Sequence, residues 1–353
     1  MTECFSNTFG EIEPVWVHHL PYFEHPRFPS LDHNIETEVC IISSGVAGIS
    51  TVYELITRGR KKHGTDSAKL ATESYTWAID CIAYITQTLD LDCEFRYVPA
   101  YKVSKFLPGN LKHEADIKKI SKEADFARDA GIDAIFGKGL GMSGWDRDAS
   151  QQDTAVFPAQ ATFHAIKYLL GMLEWLKEHL NFQYFASTQS TSIKEERSKV
   201  IVLTKQGYTV IARDVVEATC IPMQDLSISA EMLYFQTYCI AIRVPKGSVD
   251  DCLIYDTNDP YKYVCLTACD DNNNYLVIGG CDHEVRQENS PRRFKVLETW
   301  SRQIIEPVNH LAFIGRVWRS HAYMVTGDSG NGLTHGVLAG RLIADEIEGQ
   351  ENS

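Results

Sequence analysis

Gly45 and Gly48 lie in a short turn between a buried apolar strand and an amphipathic helix, within residues 37–59, TEVCIISSGVAGISTVYELITRG. Such a turn presents backbone N–H groups and a helix N-terminus, which together bind the pyrophosphate of a dinucleotide. The pattern G-x-G-x-x-G/A would place its first glycine at position 43, which is Ser43. A positive φ at Ser43 would strain the turn. The candidate cofactor-binding residues here are Ser44, Gly45, Val46, Ala47 and Gly48.

A second glycine-rich turn lies far along the chain, within residues 321–347, HAYMVTGDSGNGLTHGVLAGRLIADEI. The segment is typical of a strand, a loop and a helix. The N-terminus of that helix offers N–H donors and the positive end of the helix dipole, which favour an anionic ligand by roughly 0.3–2 kcal/mol. Two such turns can close on one long cofactor, although a plain strand-to-helix turn is the alternative. The candidates here are Gly327, Asp328, Ser329, Gly330, Gly332, Leu333 and Thr334.

Other catalytic motifs find little support. Gly327-Asp-Ser-Gly matches the loop around the nucleophile of chymotrypsin-like proteases, but no matching His segment precedes it and a long helix follows. The pattern G-x-S-x-G fails because position 331 is Asn. Neither H-E-x-x-H nor the P-loop spacing occurs. We therefore expect no metal and neither zinc hydrolysis nor ATP use.

Composition favours a globular protein that acts on small molecules. The chain has 353 residues, 44% hydrophobic and 23% charged, which allows two interleaved domains. Its net charge of −13 argues against nucleic acid or an anionic membrane as a partner. No apolar run approaches the roughly 18 residues of a membrane-spanning helix. Ten scattered cysteines without a C-x-x-C pair, and no signal-peptide core, predict a cytoplasmic protein. The sequence does not indicate an oligomeric state.

Periodicity predicts the remaining elements. Residues 1–35 contain four prolines with aromatics and suit an extended arm on the surface. Helical spacing covers residues 66–89, 112–130 and 161–180, with Gly131 ending the second helix. A hairpin turns at Gln206-Gly207 into a strand that ends near Thr219, a further candidate because ligands gather at the carboxyl ends of such strands. Strands are predicted at 236–244, 262–269 and 275–280, separated by turns that suit an antiparallel sheet.

The segment after the first glycine turn departs from the dinucleotide pattern. A dinucleotide site needs a second strand that ends in Asp or Glu, about 20 residues beyond the glycines, to hold the ribose hydroxyls. Here Arg58–His63 lead directly into the helical stretch, and Glu73 falls inside that helix. The acidic ribose ligand is missing from the pattern.

Together these segments resemble FAD-dependent oxidoreductases, in particular the D-amino-acid oxidase, glycine oxidase and sarcosine oxidase superfamily. The resemblance covers most of the chain. It is carried by TEVCIISSGVAGISTVYEL, VFPAQATFHAIKYL, VVEATC, YLVIGGCDHE and VTGDSGNGLTHGVLAGRLIADEI. It implies that the first turn holds the FAD pyrophosphate and that the C-terminal loop meets the isoalloxazine ring. It also implies oxidation of the C–N bond of an amine or amino acid.

The same resemblance implies two gaps. Family members have a strand ending in Glu and then an Arg- and Gly-rich flavin loop, both of which would fall between Arg60 and Lys61. A second shortening is expected near Trp300-Ser301, where a helix at LETW would run into RQIIEPVNHLAFIG. Such gaps are typical of a gene-model artefact or of a degenerated copy. Some relatives carry a Rieske module, whereas Cys281-Asp-His283 is a lone C-x-H.

Substrate-binding candidates lie outside the two turns. Arg243 could clamp a carboxylate bidentately, although a solvated face is the commoner role of such a residue. Tyr263 shares a predicted face with Tyr261 and could cap a pocket, or simply pack in the core. His164 and His283 lie beside the family-like motifs, where a structural role is the alternative.

These observations predict an α/β protein with a Rossmann-like FAD-binding domain and an inserted, mainly antiparallel substrate domain. Residues 36–60, 155–225 and 307–349 would form the first domain, and residues 90–150 and 226–306 the second. The predicted function is FAD-dependent oxidation of an amine or amino acid by hydride transfer to flavin. The alternative is a remnant of such a flavoprotein that folds without holding FAD.

Overall fold

The computed structural model describes residues 14–57, 70–137, 153–223, 231–285, 299–308 and 311–350. The chain divides into two units, each named here after its sheet. The eight-stranded unit comprises Met1–Tyr22, Cys93–Ile166 and Phe235–Gln303. The six-stranded unit comprises Phe23–Asp92, Lys167–Tyr234 and Ile304–Ser353.

The helices of the described residues are α1 (Val15–His19), α2 (Val46–Thr57), α3 (Leu70–Thr88), α4 (His113–Asp129), α5 (Ala165–Lys177) and α6 (Gly332–Ile347). The strands are β1 (Ile35–Ile42), β2 (Arg96–Val103), β3 (Ile135–Gly137), β4 (Thr154–Thr162), β5 (Ser190–Glu196), β6 (Lys199–Thr204), β7 (Thr209–Cys220), β8 (Met232–Pro245), β9 (Leu253–Asp256), β10 (Lys262–Ala268), β11 (Asn273–Glu284), β12 (Thr299–Pro307), β13 (Phe313–Arg316) and β14 (Ala322–Thr326). None of these helices is both long and apolar enough to cross a lipid bilayer.

In the six-stranded sheet, β7 lies between two parallel neighbours. β1 pairs with it from Ile35 opposite Val210 to Ile42 opposite Glu217. β14 pairs with it in the same direction, beginning with Ala322 opposite Val215. Because both neighbours pair with Val215–Glu217, they lie on opposite sides of β7. The carboxyl ends of β1, β7 and β14 therefore meet at one edge, while β13, β6 and β5 extend the sheet with antiparallel pairs.

Both faces of β7 are buried, as expected for a strand in a parallel sheet. Val215 and Val216 are each 0% exposed and point to opposite faces because side chains alternate along a strand. Val215 packs with Leu31 and with residues of β6. Val216 packs with Tyr323 and with Ile343 of α6. Helix α6, which follows β14, is thereby held against this central strand.

The eight-stranded sheet has the order β12-β8-β11-β10-β9-β2-β4-β3. Its pairs are antiparallel from β8 to β9 and from β2 to β3, while β2 and β9 are parallel. One face buries Cys239, Ala241 and Val277 together with Val15 of α1. This arrangement matches the mainly antiparallel inserted sheet predicted from the sequence.

Several predicted elements are confirmed. Helical spacing at 66–89 corresponds to α3 in its described part, and the helix predicted at 112–130 corresponds to α4, followed by Gly131 with φ of 87°. The hairpin at Gln206-Gly207 joins β6 to β7. The three predicted strands of the inserted sheet are β8, β10 and β11. In each case the local pattern and the tertiary packing favour the same structure.

Three elements differ from the sequence-based prediction. The arm expected to be extended contains α1, and Val15, Val17 and Leu31 are each at most 3% exposed, because their apolar side chains fill the two cores. The prediction of a helix at LETW is wrong for Thr299 and Trp300, which begin β12. Leu297 and Glu298 lie outside the described residues. The helix expected from residue 161 begins at Ala165, because β4 extends to Thr162.

The domain boundaries remain a prediction, since they concern cofactor and substrate binding as well as packing. Residues 155–166, which the sequence suggests belong to the cofactor domain, cluster with the eight-stranded unit. The predicted arm is likewise divided, with its first part in the eight-stranded unit and the segment from Phe23 onward in the six-stranded unit.

Candidate cofactor site

The first corner of the candidate site joins β1 to α2. Ser43 follows β1 directly and has a φ of 111°, so the condition under which the turn is strained is met. Gly45 donates its N–H to Ser43 Oγ at 3.3 Å. A Cβ at Gly48 would lie 2.3 Å from the Ser43 carbonyl oxygen, so glycine is needed for α2 to approach the end of β1. This corner contains the predicted residues Ser44, Gly45, Val46, Ala47 and Gly48.

The second corner joins β14 to α6. Gly327, Ser329 and Gly330 have φ values of 72°, 49° and 83°. The Ser329 N–H donates to the Ile305 carbonyl at 3.0 Å, and a Cβ at Gly327 would lie 2.5 Å from Pro307 Cγ. The loop is therefore fixed against the end of β12. It contains the predicted residues Gly327, Asp328, Ser329, Gly330, Gly332, Leu333 and Thr334.

The start of α6 lacks a side-chain cap. Asn331 occupies the N-cap position, but its side chain makes no capping hydrogen bond. The Thr334 hydroxyl donates to the Asn331 carbonyl at 3.0 Å. In this hydrogen bond the hydroxyl is the donor, so the bond does not cap a backbone N–H of the first turn. The first N–H groups of a helix have no partner within the helix itself. Those of Gly332, Leu333 and Thr334 are thus suited to an anionic ligand.

A half-buried carboxyl lies within the second corner. Burial raises the pKa of Asp328, and its Oδ1 accepts the Gly330 N–H at 3.3 Å. A Cβ at Gly332 would lie 2.5 Å from Asp328 Oδ2, so the absence of a side chain at Gly332 leaves room for the carboxyl group. Glycine at position 332 therefore makes room for the Asp328 carboxyl group, in addition to leaving the backbone of the turn accessible to a ligand.

One hydrogen-bonded pair beside this corner was not predicted from the sequence. Tyr75 of α3 and His335 of α6 share a hydrogen bond of 2.8 Å between Oη and Nε2. Burial lowers the pKa of His335, which favours the neutral imidazole, and burial raises the pKa of Tyr75. The two residues are 260 positions apart, so no local motif could have connected them.

At the end of β7, the hydroxyl of Thr219 is engaged within the protein. It donates to the Ile221 carbonyl at 2.8 Å and lies 3.2 Å from Glu217 Oε1. The next residue, Cys220, has a φ of 68°, and its carbonyl accepts the Thr326 hydroxyl. Thr219 therefore lies at the predicted edge of the sheet, where its hydroxyl stabilises the strand end.

Glycines also join the two corners. A Cβ at Gly336 would lie 2.9 Å from the Ala47 nitrogen, and one at Gly340 would lie 2.6 Å from the Ser50 carbonyl carbon. Helices α2 and α6 thus contact each other backbone to backbone. Because each helix directly follows a strand of the same sheet edge, their N-termini are brought together, as the sequence-based prediction of one long cofactor requires.

The predicted substrate-binding residues Arg243, Tyr263, His164 and His283 all lie in the eight-stranded unit. Arg243 is near the end of β8, with 59% of its side chain exposed and Asp270 at 3.9 Å. Tyr263 lies across Gly279, its hydroxyl 3.1 Å from Cys239 Sγ, and burial raises its pKa. These surroundings suit the alternatives foreseen for both residues, a solvated face and core packing.

The two candidate histidines are also held by the fold. His164 is 1% exposed, and its N–H donates to the Cys93 carbonyl at 2.7 Å. Its ring centroid lies 5.5 Å from that of His19. His283 stacks on Tyr238 at 5.2 Å with an interplanar angle of 5°. Each contact contributes to packing, and neither identifies a ligand.

The residues present fit two parts of a flavin dinucleotide. The glycine contact at Gly48 brings a helix N-terminus to the end of β1, which suits a pyrophosphate, and the uncapped start of α6 suits an anionic ring edge. For the ribose, the described residues show no strand paired with β1 other than β7. They also show no group of three or more His, Cys, Asp or Glu side chains placed to hold a metal ion.

Comparison with solved structures defines the class of protein. Glycine oxidase from Geobacillus kaustophilus superposes with a TM-score of 0.72 at 15% identity, covering 91% of this chain and 96% of that one. L-proline dehydrogenase from P. horikoshii gives a TM-score of 0.72 at 14% identity, covering 90% and 95%. The fold is that of these enzymes, with a Rossmann-like FAD domain and a substrate domain.

The family follows from sequence comparison. The family model described as FAD dependent oxidoreductase (DAO) matches residues 60–346, which is most of the chain, and the protein belongs to this family of flavoproteins. The matched range begins after the β1–α2 corner.

A Bacillus subtilis protein named as a Rieske 2Fe-2S iron-sulfur protein, YhfW, is 24% identical over 381 positions, covering 93% of this chain and 72% of that protein. An alignment longer than the 353 residues of this chain means that YhfW has segments without a counterpart here.

Proposed function

We propose that the protein binds FAD and oxidises the C–N bond of a small amine or amino acid by hydride transfer to the flavin. The observation that carries the proposal is the pairing of the two corners, which place two helix N-termini at one edge of the six-stranded sheet. Glycine oxidase and L-proline dehydrogenase, which share the fold, are named for amino-acid substrates. Their names support a substrate of this class.

In this proposal the protein positions groups, and little acid–base chemistry is asked of it. Bound FAD supplies the two-electron acceptor for the hydride. The first-turn N–H groups of α2 would hold phosphate oxygens. Those of α6 would stabilise negative charge on the flavin through hydrogen bonds and the helix dipole. Burial lowers the pKa of His335 and favours its neutral form, so the N–H groups of α6, and not an imidazolium, would supply this stabilisation.

A cytoplasmic location belongs to the same proposal. The cysteines whose side chains are described form no disulfide: Cys40, Cys81, Cys93, Cys220, Cys239, Cys252, Cys265 and Cys269. Free thiols persist in reducing compartments. Fractionation of cells that express the tagged full chain tests the location, and recovery in a membrane or secreted fraction would contradict it.

The function is tested by reconstitution and reduction. Purified protein is incubated with FAD and desalted, and the visible flavin bands are measured. Anaerobic addition of glycine, proline, sarcosine and a panel of D- and L-amino acids should then bleach those bands for at least one substrate. Retention of FAD without bleaching by any amine would contradict the oxidation of C–N bonds.

Gly45→Asp provides the matched control. Gly45 is exposed, and the nearest atom to a Cβ there, Ser43 Oγ, is 3.7 Å away. A carboxylate at a helix N-terminus is compatible with folding but repels phosphate. The variant should fold as the wild type does and lose at least about tenfold in FAD affinity, a cost of roughly 1.4 kcal/mol. Equal retention by both proteins would place the cofactor elsewhere.

A second candidate function is that of a folded remnant that no longer holds FAD. The specific observations in its favour are the φ of 111° at Ser43 and the single described partner of β1. A protein that stays colourless after incubation with excess FAD and desalting would favour the remnant. Sequencing the transcript across Arg60–Lys61 separates a remnant from a gene-model error.

A further inference from the structure

Ser43 differs from the other residues with left-handed backbone. In the described part of the chain, the remaining non-glycine residues with positive φ are Asp90, Glu94, Ser187, Arg197, Cys220, Arg319 and Ser329, and their φ values lie between 49° and 68°. Those values belong to the left-handed helical region that single L-residues tolerate. Ser43, at 111°, lies outside it, in a range suited to glycine.

The backbone of Ser43 is held on both sides. The preceding residue, Ile42, is paired in register with Glu217 of β7. On the other side, the carbonyl oxygen of Ser43 lies against Gly48, where an added Cβ would come within 2.3 Å of it. Relaxing the φ of Ser43 would therefore shift either the end of β1 or the start of α2. Strain of this kind persists only where the surroundings determine the conformation.

The side chain of Ser43 also forms a hydrogen bond with one backbone N–H of the turn. Its Oγ accepts the Gly45 N–H at 3.3 Å, immediately before the first residue of α2. A phosphate bound at this corner would take the same N–H. The hydroxyl must then give up its hydrogen bond, and the bound state gains correspondingly less.

We propose that Ser43 caps its own turn and thereby weakens the binding of a dinucleotide pyrophosphate at the β1–α2 corner. The inference rests on the proposed function, because it concerns the same turn. The strained backbone and the hydroxyl act separately. The strain is present with or without a ligand and lowers stability, whereas the hydroxyl competes with the ligand and lowers affinity.

Two substitutions separate these effects. Ser43→Ala removes the hydroxyl and keeps the strain, while Ser43→Gly removes both. Arg197→Gly is the control, because Arg197 is exposed in the β5–β6 turn of the same unit and has a φ of 57°. The full chain of each variant is measured twice. The thermal midpoint is taken without FAD, and the FAD dissociation constant is taken from flavin fluorescence.

The expected pattern differs between the two measurements. Both Ser43 variants should bind FAD about threefold to tenfold more tightly than the wild type, the range that one modest hydrogen bond represents. Only Ser43→Gly should raise the thermal midpoint, by about 1–4 °C. Arg197→Gly should leave the FAD affinity within about twofold of the wild type, in keeping with ordinary surface changes.

Each contrary outcome has its own meaning. Wild-type binding with no gain in either Ser43 variant overturns the inference and leaves the proposed function standing. Binding by both Ser43 variants but not by the wild type supports the inference and overturns the proposed function of the natural chain. Binding by Ser43→Gly but not by Ser43→Ala overturns the inference, because backbone strain and not the hydroxyl would then limit affinity. If neither the wild type nor either Ser43 variant binds FAD, the inference and the proposed function are both overturned, because Ser43 is then not what limits binding at this site.

Discussion

The two corners of the six-stranded unit solve one geometric problem with different residues. Each follows a parallel strand beside β7 and starts a helix at the same edge of the sheet. In the β14–α6 corner the larger positive φ values fall on Gly327 and Gly330, at 72° and 83°. In the β1–α2 corner the value of 111° falls on Ser43. The contrast shows that tertiary contacts maintain a turn whose own sequence disfavours it.

The largest effect is expected from Gly48→Ala, which tests whether the first corner depends on the close approach of α2 to the end of β1. The added Cβ would lie 2.3 Å from the Ser43 carbonyl oxygen, which belongs to the backbone and cannot swing away. We expect the free energy of unfolding to fall by about 4 kcal/mol, at the upper end of single substitutions. Urea unfolding followed by circular dichroism measures the change.

Gly45→Ala is its control within the same turn. The nearest neighbour of the new Cβ lies at 3.7 Å, an ordinary contact, so the loss should stay below about 1 kcal/mol. Equal losses in the two variants would show that α2 does not depend on its close approach to β1.

In the second corner, Gly327→Ala and Gly330→Ala separate contact from conformation. Both residues have positive φ, but a Cβ at Gly327 would meet Pro307 Cγ at 2.5 Å, while one at Gly330 has only Ile304 Cδ1, at 4.0 Å. We expect losses of about 3 and about 1 kcal/mol in the free energy of unfolding. If Gly330→Ala costs as much as Gly327→Ala, the contact with β12 does not fix this loop.

A smaller effect is expected on the pH dependence of stability. Burial lowers the folded-state pKa of His335 below its ordinary 6.5. The unfolded state therefore binds more protons in that range, so this contribution is present above pH 6.5 and is lost as pH falls through the folded pKa. His335→Gln should show a shallower loss of unfolding free energy between pH 7 and pH 5.

The contribution of Asp328 to the free energy of unfolding changes with pH in the opposite direction to that of His335. Burial raises its pKa above 3.8, so its contribution is present below pH 3.8 and is lost as pH rises through the folded pKa. Asp328→Asn should remove that part alone. Identical pH profiles for wild type and His335→Gln would show that the imidazole does not resist protonation in the folded protein.

The smallest effect should come from Asn331→Ala. A capping Asn typically contributes about 1 kcal/mol, but the Asn331 side chain makes no capping hydrogen bond. We therefore expect less than about 0.5 kcal/mol. A loss near 1 kcal/mol would mean that the start of α6 is capped in solution and less open to a ligand than the start of α2.

The sequence predicted what depends on neighbours along the chain. The strand–turn–helix around Gly45 and Gly48, and the loop before α6, follow from patterns a few residues long. The φ of Ser43 could not be obtained this way, because strand pairing with β7 and the contact with Gly48 impose it. Local patterning left open only whether the turn is strained.

Distant pairings account for the rest. The strand β12 was hidden because residues at LETW favour a helix locally, while pairing in the eight-stranded sheet favours a strand. The hydrogen bond between Tyr75 and His335 joins positions 260 residues apart, and neither residue carries a motif. Substrate-binding candidates chosen by strand alternation, such as Arg243, were placed on the correct strand, but alternation does not reveal what surrounds a side chain.

Helix α2 is anchored by the far end of the chain. Gly336 and Gly340 of α6 contact its backbone directly, at Ala47 and Ser50. The start of α2 is therefore placed by contacts made far along the chain as well as by its own sequence. A chain interrupted before α6 would lack the backbone contacts that hold α2 at the first corner.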